Sequence, residues 1–113
     1  MDFRFNQMKK NKLAIESMNF TSDFPDVTEK PIIKLGRLGY SCNDIQLAQD
    51  NVYSRRHCVI INSKDDCWIY DLSLSGCKIN DVSFINKKSL IGFNELTIAD
   101  LKIKLNTDSE KLL

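Results

Sequence analysis

From Cys58 to Leu72 the chain reads CVIINSKDDCWIYDL. Cys58 to Ile61 (CVII) is a continuous apolar run, the pattern of a strand buried on both faces. Cys67 to Leu72 (CWIYDL) alternates, as a strand does when one face lies on a core. Asp65-Asp66 between them reads as a hairpin turn, although it is not the Asn-Gly or Asp-Gly pair that short hairpins prefer. Ser73 to Gly76 then breaks the second run.

Outward from this pair the same texture repeats. Lys12 to Met18 (KLAIESM), Pro31 to Leu35 (PIIKL), Asp44 to Leu47 (DIQL), Cys77 to Ile79, Val82 to Phe84 and Glu95 to Ile98 (ELTI) are short β-like runs separated by turn residues. In Leu101 to Leu105 (LKIKL) two lysines alternate with three aliphatic residues, a half-buried strand with its charges outward. Ala99-Asp100 reads as a second hairpin turn. A loop through Asp23, Pro25, Asp26 and Pro31 separates the first two runs. No stretch shows sustained helical periodicity with caps, so the expected fold class is all-β, a sandwich or a barrel. The 113 residues fit one domain. Its expected parts are a segment 1–30 carrying the first strand, a core 31–105, and a loose tail 106–113.

Composition narrows the class. Hydrophobic residues make up 42% and charged residues 27%, ordinary for a globular domain and too apolar for a disordered one. No apolar run approaches the roughly 20 residues of a membrane helix. Met1 to Lys12 is mixed and charged, unlike a secretory signal, so the expectation is a cytoplasmic protein with no membrane contact. A net charge of +1 argues against nucleic acid as partner. The basic pairs Lys9-Lys10, Arg55-Arg56 and Lys87-Lys88 read as solvated surface. No two of the four cysteines have the spacing of a zinc knuckle or redox motif, which predicts reduced thiols, no metal and no cofactor. Cys58 and Cys67, inside apolar runs, read as small hydrophobes.

Three separated segments carry candidate chemistry. Gly36-Arg37 follow an apolar strand; glycine allows a close backbone approach, and arginine offers a planar fork of donors suited to phosphate. By itself this is also what a surface arginine at a turn looks like. Ser54-Arg55-Arg56-His57 leads into CVII: a hydroxyl donor beside added positive charge. His57, the one histidine in the chain, reads as a structural hydrogen-bonder pinning the loop of Ser54 and Arg55. Asp71 to Asn80 (DLSLSGCKIN) is a strand end, a polar turn with Gly76, and a short strand. Its serines alone need be no more than turn residues bonding their own backbone.

Taken in order, Gly36-Arg37, Asn43-Asp44-Ile45 with Leu47, Ser54-Arg55-Arg56-His57, Asp71-Leu72-Ser73, Gly76, Ile79-Asn80 and the run Leu90 to Ile98 (LIGFNELTI) resemble a forkhead-associated (FHA) domain, over about Pro31 to Leu105. The resemblance implies a β-sandwich of about eleven strands whose loops at one end bind phosphothreonine peptides, a recognition module and not an enzyme. It implies phosphate contacts from Arg37, Ser54 and Arg55, peptide contacts from Leu74, Ser75 and Asn80, and architectural roles for Gly36, His57 and Gly76. Arg56 would be secondary or solvent-facing. As an isolated domain the expectation is a monomer.

The third segment departs from the family pattern. Ser75 stands where the family has a peptide-gripping asparagine, Cys77 where it has threonine, and Asp81 where it has glycine. Serine is shorter than asparagine and has fewer donors. Three charge-assisted contacts supply about 5–9 kcal/mol before the costs of binding, while micromolar affinity needs about 8 kcal/mol net. Contacts to flanking peptide residues are therefore required. The departures keep a second reading open, an FHA-like scaffold that binds a protein partner without phosphate. A hydrolase built on Ser54, His57 and Asp71 is disfavoured, since nucleophile and base would lie close together on one loop with no Gly-x-Ser-x-Gly elbow.

Overall fold

Alternating apolar residues give strands one sticky face, and two such faces bury each other. The computed structural model describes residues 13–18, 30–40, 42–63 and 65–107. Among them the strands are β1 (Leu13–Ser17), β2 (Ile32–Arg37), β3 (Ile45–Leu47), β4 (Cys58–Asn62), β5 (Cys67–Asp71), β6 (Lys78–Ile79), β7 (Val82–Ser83), β8 (Lys87–Ser89), β9 (Phe93–Ile98) and β10 (Leu101–Thr107). They form two five-stranded sheets, ordered β1-β10-β9-β6-β7 and β3-β2-β4-β5-β8. The all-β sandwich is thus as expected, with ten strands among the described residues where about eleven were anticipated. Ile33, Leu35, Ile60 and Ile69 from one sheet join Leu96, Ile98, Ile103 and Leu105 from the other in a single buried cluster.

Pairing is antiparallel throughout except between β2 and β3, which run parallel with Arg37 opposite Leu47. The chain reverses twice between Arg37 and Ile45 to achieve this, helped by Gly39 at φ 102°. This return lays Tyr40 and Asn43 beside the end of β2, where the candidate site lies.

Several expectations change. The run CVII is not buried on both faces: along β4 burial alternates, with Val59 and Ile61 half-buried, because among the described residues no third layer covers the outer side. Gly36 and Arg37 do not follow the strand but are its last two residues. β8 went unread because Lys87-Lys88 looked like plain surface. It is held by pairing to β5, and the Lys87 ammonium lies 4.9 Å from the centre of the Trp68 ring. β10 runs past the expected end of the core through Asn106 and Thr107. There the Thr107 hydroxyl accepts from the Gly92 N–H at 2.7 Å. β1, assigned to the N-terminal segment, pairs along its whole length with β10 and buries Leu13.

The Asp65-Asp66 turn is closed by Ser63, whose N–H donates to the Asp66 carbonyl and whose hydroxyl donates to its carboxylate at 2.7 Å. The Ala99-Asp100 turn joins Ile98 to Leu101 with Ala99 at φ 55°. The readings at Met1–Lys12, including Lys9-Lys10, at Asp23, Pro25 and Asp26, and at 108–113 lie outside the described residues. All four cysteines are free thiols, Cys42 exposed and the other three buried. Among the described residues, no helix is long and apolar enough to cross a membrane, and no three His, Cys, Asp or Glu gather as metal ligands.

Candidate functional site

Gly36 is where β2 passes under the loop that carries the Ser-Arg-Arg-His segment. A Cβ there would run into the Arg55 carbonyl and sit 2.5 Å from the Asn43 amide nitrogen, so only glycine fits without displacement. Because the backbones approach this closely, they bond. The Arg37 N–H donates to the Ser54 carbonyl at 3.0 Å, and the His57 N–H donates to the Leu35 carbonyl at 2.8 Å. Asn43 seals the junction: its amide donates to the Arg55 carbonyl at 2.7 Å, while its oxygen accepts from Arg56 Nε at 2.7 Å.

His57 ties this junction to the third segment. Its ring is fully buried, and the Ser54 N–H donates to Nδ1 at 3.1 Å. Nδ1 is therefore the acceptor, which puts the ring proton on Nε2, 3.1 Å from the Gly76 carbonyl. Burial pushes the imidazole below its usual pKa, against a smaller opposing pull from Gly76 and Asp71. A neutral ring thus bridges the loop of Ser54 to the loop of Gly76. The latter loop is shaped by Asp71, whose carboxylate accepts from the Ser73 hydroxyl at 2.6 Å and the Ser73 N–H at 3.0 Å. The Ser73 oxygen in turn accepts from the Gly76 N–H at 2.7 Å.

The result is an open groove of about 580 Å³. Of the residues expected at the site, Arg37, Ser54, Arg55, Leu74, Ser75 and Gly76 all line it, together with Arg56. Among the described residues no carboxylate does. Arg37 Nε donates to the Tyr53 carbonyl at 2.8 Å, which fixes the fork and leaves its terminal nitrogens for another acceptor. The Ser54 oxygen accepts from the Leu74 N–H at 3.2 Å, so the hydroxyl retains its proton to donate. The Tyr40 ring lies 5.7 Å from the Arg37 guanidinium carbon and 5.2 Å from that of Arg55, a shared aromatic face that holds two like charges side by side. Arg56, expected to be secondary or solvent-facing, is half-buried against Asn43.

Asn80 is placed elsewhere. At φ 54° it turns its amide onto β9, donating to Asn94 Oδ1 at 3.0 Å and accepting from the Glu95 N–H at 2.8 Å. It does not line the groove. Ser75 does, with its hydroxyl 3.4 Å from the Val52 carbonyl. Tyr40 and Val52 were not singled out from the sequence, and Ala99 only as part of a hairpin turn. Tyr40 follows Gly39 in a plain loop, and only the fold brings Ala99 of the β9–β10 turn alongside.

The comparisons with known proteins point one way. The FHA domain family model matches residues 33–101. Mycobacterium tuberculosis EmbR, solved in complex with a low-affinity phosphopeptide, superposes with a TM-score of 0.75 at 20% identity over 94% of this chain, which spans 28% of the EmbR chain. An engineered FHA domain with Myc-pTBD peptide gives 0.71 at 18% identity, covering 90% of this chain and 95% of that one. The FHA domain of an Arabidopsis thaliana hypothetical protein gives 0.71 at 19% identity, covering 90% and 89%. No curated protein matches. With the two-sheet sandwich, the Gly36 crossing and a family match over more than half its length, the chain belongs to the FHA domain family.

Proposed function

We propose that this chain recognises phosphothreonine-containing peptides and so mediates phosphorylation-dependent contact between proteins in intracellular signalling. The observation that carries the reading is the groove's composition: three arginines and a proton-bearing serine hydroxyl, with no carboxylate among the described residues, in a chain whose net charge is only +1. A phosphothreonine brings a charge of about −1.5 to −2 and three acceptor oxygens. The Arg37 fork, the Ser54 hydroxyl and the Arg55 guanidinium supply matching donors, and groups already held by Tyr53, Leu74 and Tyr40 lose little freedom on binding. Leu74 and Ser75 flank the phosphate position as peptide contacts; Asn80 ties the β6–β7 turn to β9. Relatives solved with phosphopeptides support the reading, and four free thiols suit a reducing compartment.

A degenerate phosphothreonine-peptide library tests it. The wild type is expected to retain phosphorylated sequences and release their unphosphorylated counterparts, and Arg37→Ala to retain neither. The second reading, a scaffold that binds without phosphate, draws on the groove's apolar rim, where Leu72 is 55% and Leu74 fully exposed. Equal retention of both peptide forms, unchanged in Arg37→Ala, would establish it instead.

A further inference from the structure

The groove does not stop at the phosphate-binding residues. Ser75, Gly76 and Ala99 are also one wall of a second depression, of about 320 Å³, that runs onto the outer face of β6, β7 and β9. Its floor is made of cross-strand neighbours: Lys78 on β6 stands opposite Thr97 on β9 and opposite Ser83 on β7. Ile79 on the same strand is buried in the core, so strand alternation turns Lys78 outward. Directly opposed side chains start about 4.5–5.5 Å apart, close enough for one ammonium and two hydroxyls to converge.

These groups are uncommitted. Among the described residues Lys78 has no ion pair, and its strand neighbours Thr97 and Ser83 carry no charge. On the far side of Thr97, Lys102 is already joined to Glu95 at 3.3 Å. The Thr97 hydroxyl is covered and has no hydrogen-bond partner among the described residues, a costly state for a polar atom unless something arrives to bond it. Among the described residues no carboxylate lines the depression.

We propose that this depression is a second subsite on the same peptide, taking the carboxylate of an Asp or Glu side chain, with Lys78 as the counter-charge and Ser83 and Thr97 as hydroxyl donors. It rests on the phosphopeptide reading. A single ammonium without a guanidinium fork matches a monoanion, whereas the first groove, with three arginines, matches a dianion. Because the two depressions share a wall, an extended peptide advancing about 3.3 Å per residue reaches the second within a few positions.

The test is a set of peptides with one fixed phosphothreonine and alanine elsewhere, in which a single Asp is moved through the flanking positions. Binding is measured to the wild type and to Lys78→Met, which keeps the length of an exposed side chain and removes its charge. One position is expected to raise wild-type affinity about three- to fivefold, the size of one exposed ion pair, with the gain shrinking as salt rises. Lys78→Met should lose that gain and still bind the all-alanine phosphopeptide as the wild type does. If no position gives a gain, or the gain survives in Lys78→Met, the subsite is overturned while the phosphopeptide reading stands. A phosphoserine that outperforms Asp tenfold or more at the responsive position would overturn the assignment to a carboxylate. If the wild type binds no phosphopeptide at all, the parent reading fails and takes the subsite with it.

Discussion

Arg37 is aimed by its surroundings: Nε is bonded to Tyr53 and the plane rests near Tyr40, so in the proposed function the fork would meet a phosphate without first being ordered. Losing one charge-assisted contact of roughly 1.5–3 kcal/mol, Arg37→Ala should bind a phosphothreonine peptide about 10- to 100-fold more weakly by calorimetry. Gly36 acts by having no side chain. In Gly36→Ala the new methyl must displace Asn43 and the Arg55 carbonyl, and thermal or chemical unfolding should show a loss of about 1–3 kcal/mol. His57 makes stability depend on pH. Its folded pKa lies below the ordinary 6.5, so as pH falls through 6.5 the unfolded chain takes up a proton that the folded one refuses. Its contribution is whole above pH 6.5, declines below it, and levels off beneath the folded pKa. Melting temperatures measured from pH 7.5 to 5 should fall on the acid side, and His57→Gln should flatten that slope. Gly36, Arg37, Ser54 and His57 were legible because their spacing along the chain is itself a pattern. Asn43 was legible as part of that pattern but its role was not, and Tyr40 was not legible at all, since each acts on a partner that only the folded loop brings near.

Among the elements, strands with an apolar rhythm were readable and those held by partners were not. β5 and β10 announce themselves by alternation; β8, a strand of lysines, exists because β5 offers it a free edge and two aromatic rings. β4 misled because an uninterrupted apolar run cannot say whether a second layer will cover its outer face. The family resemblance makes Asn80 a peptide contact. Its left-handed backbone instead turns it toward β9, a neighbour set by sheet order and absent from the local sequence. The β9–β10 turn carries strain of the same kind, with Ala99 at φ 55°. Ala99→Gly should relieve it and stabilise the domain by up to about 1 kcal/mol, read as a rise in the denaturation midpoint with unchanged m. Loss of stability in that variant would mean that the alanine methyl, at the wall shared by both depressions, packs for more than the turn costs.

At the scale of the molecule, two sheets bury three of the four thiols and hold the loops that carry the groove at one end. Burial, aided by Asp71, pushes the Cys77 thiol up to about 12, and burial with Asp66 pushes Cys67 to about 11. Burial also drives Cys58 well above its usual range. Such thiols form little thiolate near neutrality. An alkylating reagent should therefore modify Cys42 alone in the native protein and all four cysteines once it is unfolded, as counted by mass spectrometry. The joining of distant loops into one anion socket is tested most directly by nuclear magnetic resonance titration of the labelled protein with a phosphothreonine peptide and its unphosphorylated twin. The phosphorylated form should perturb the amides of Arg37, Ser54, Arg55 and residues 72–76 together and saturate, while the plain form leaves them in place. Equal perturbation by both peptides, or a response of these amides to neither, would contradict it.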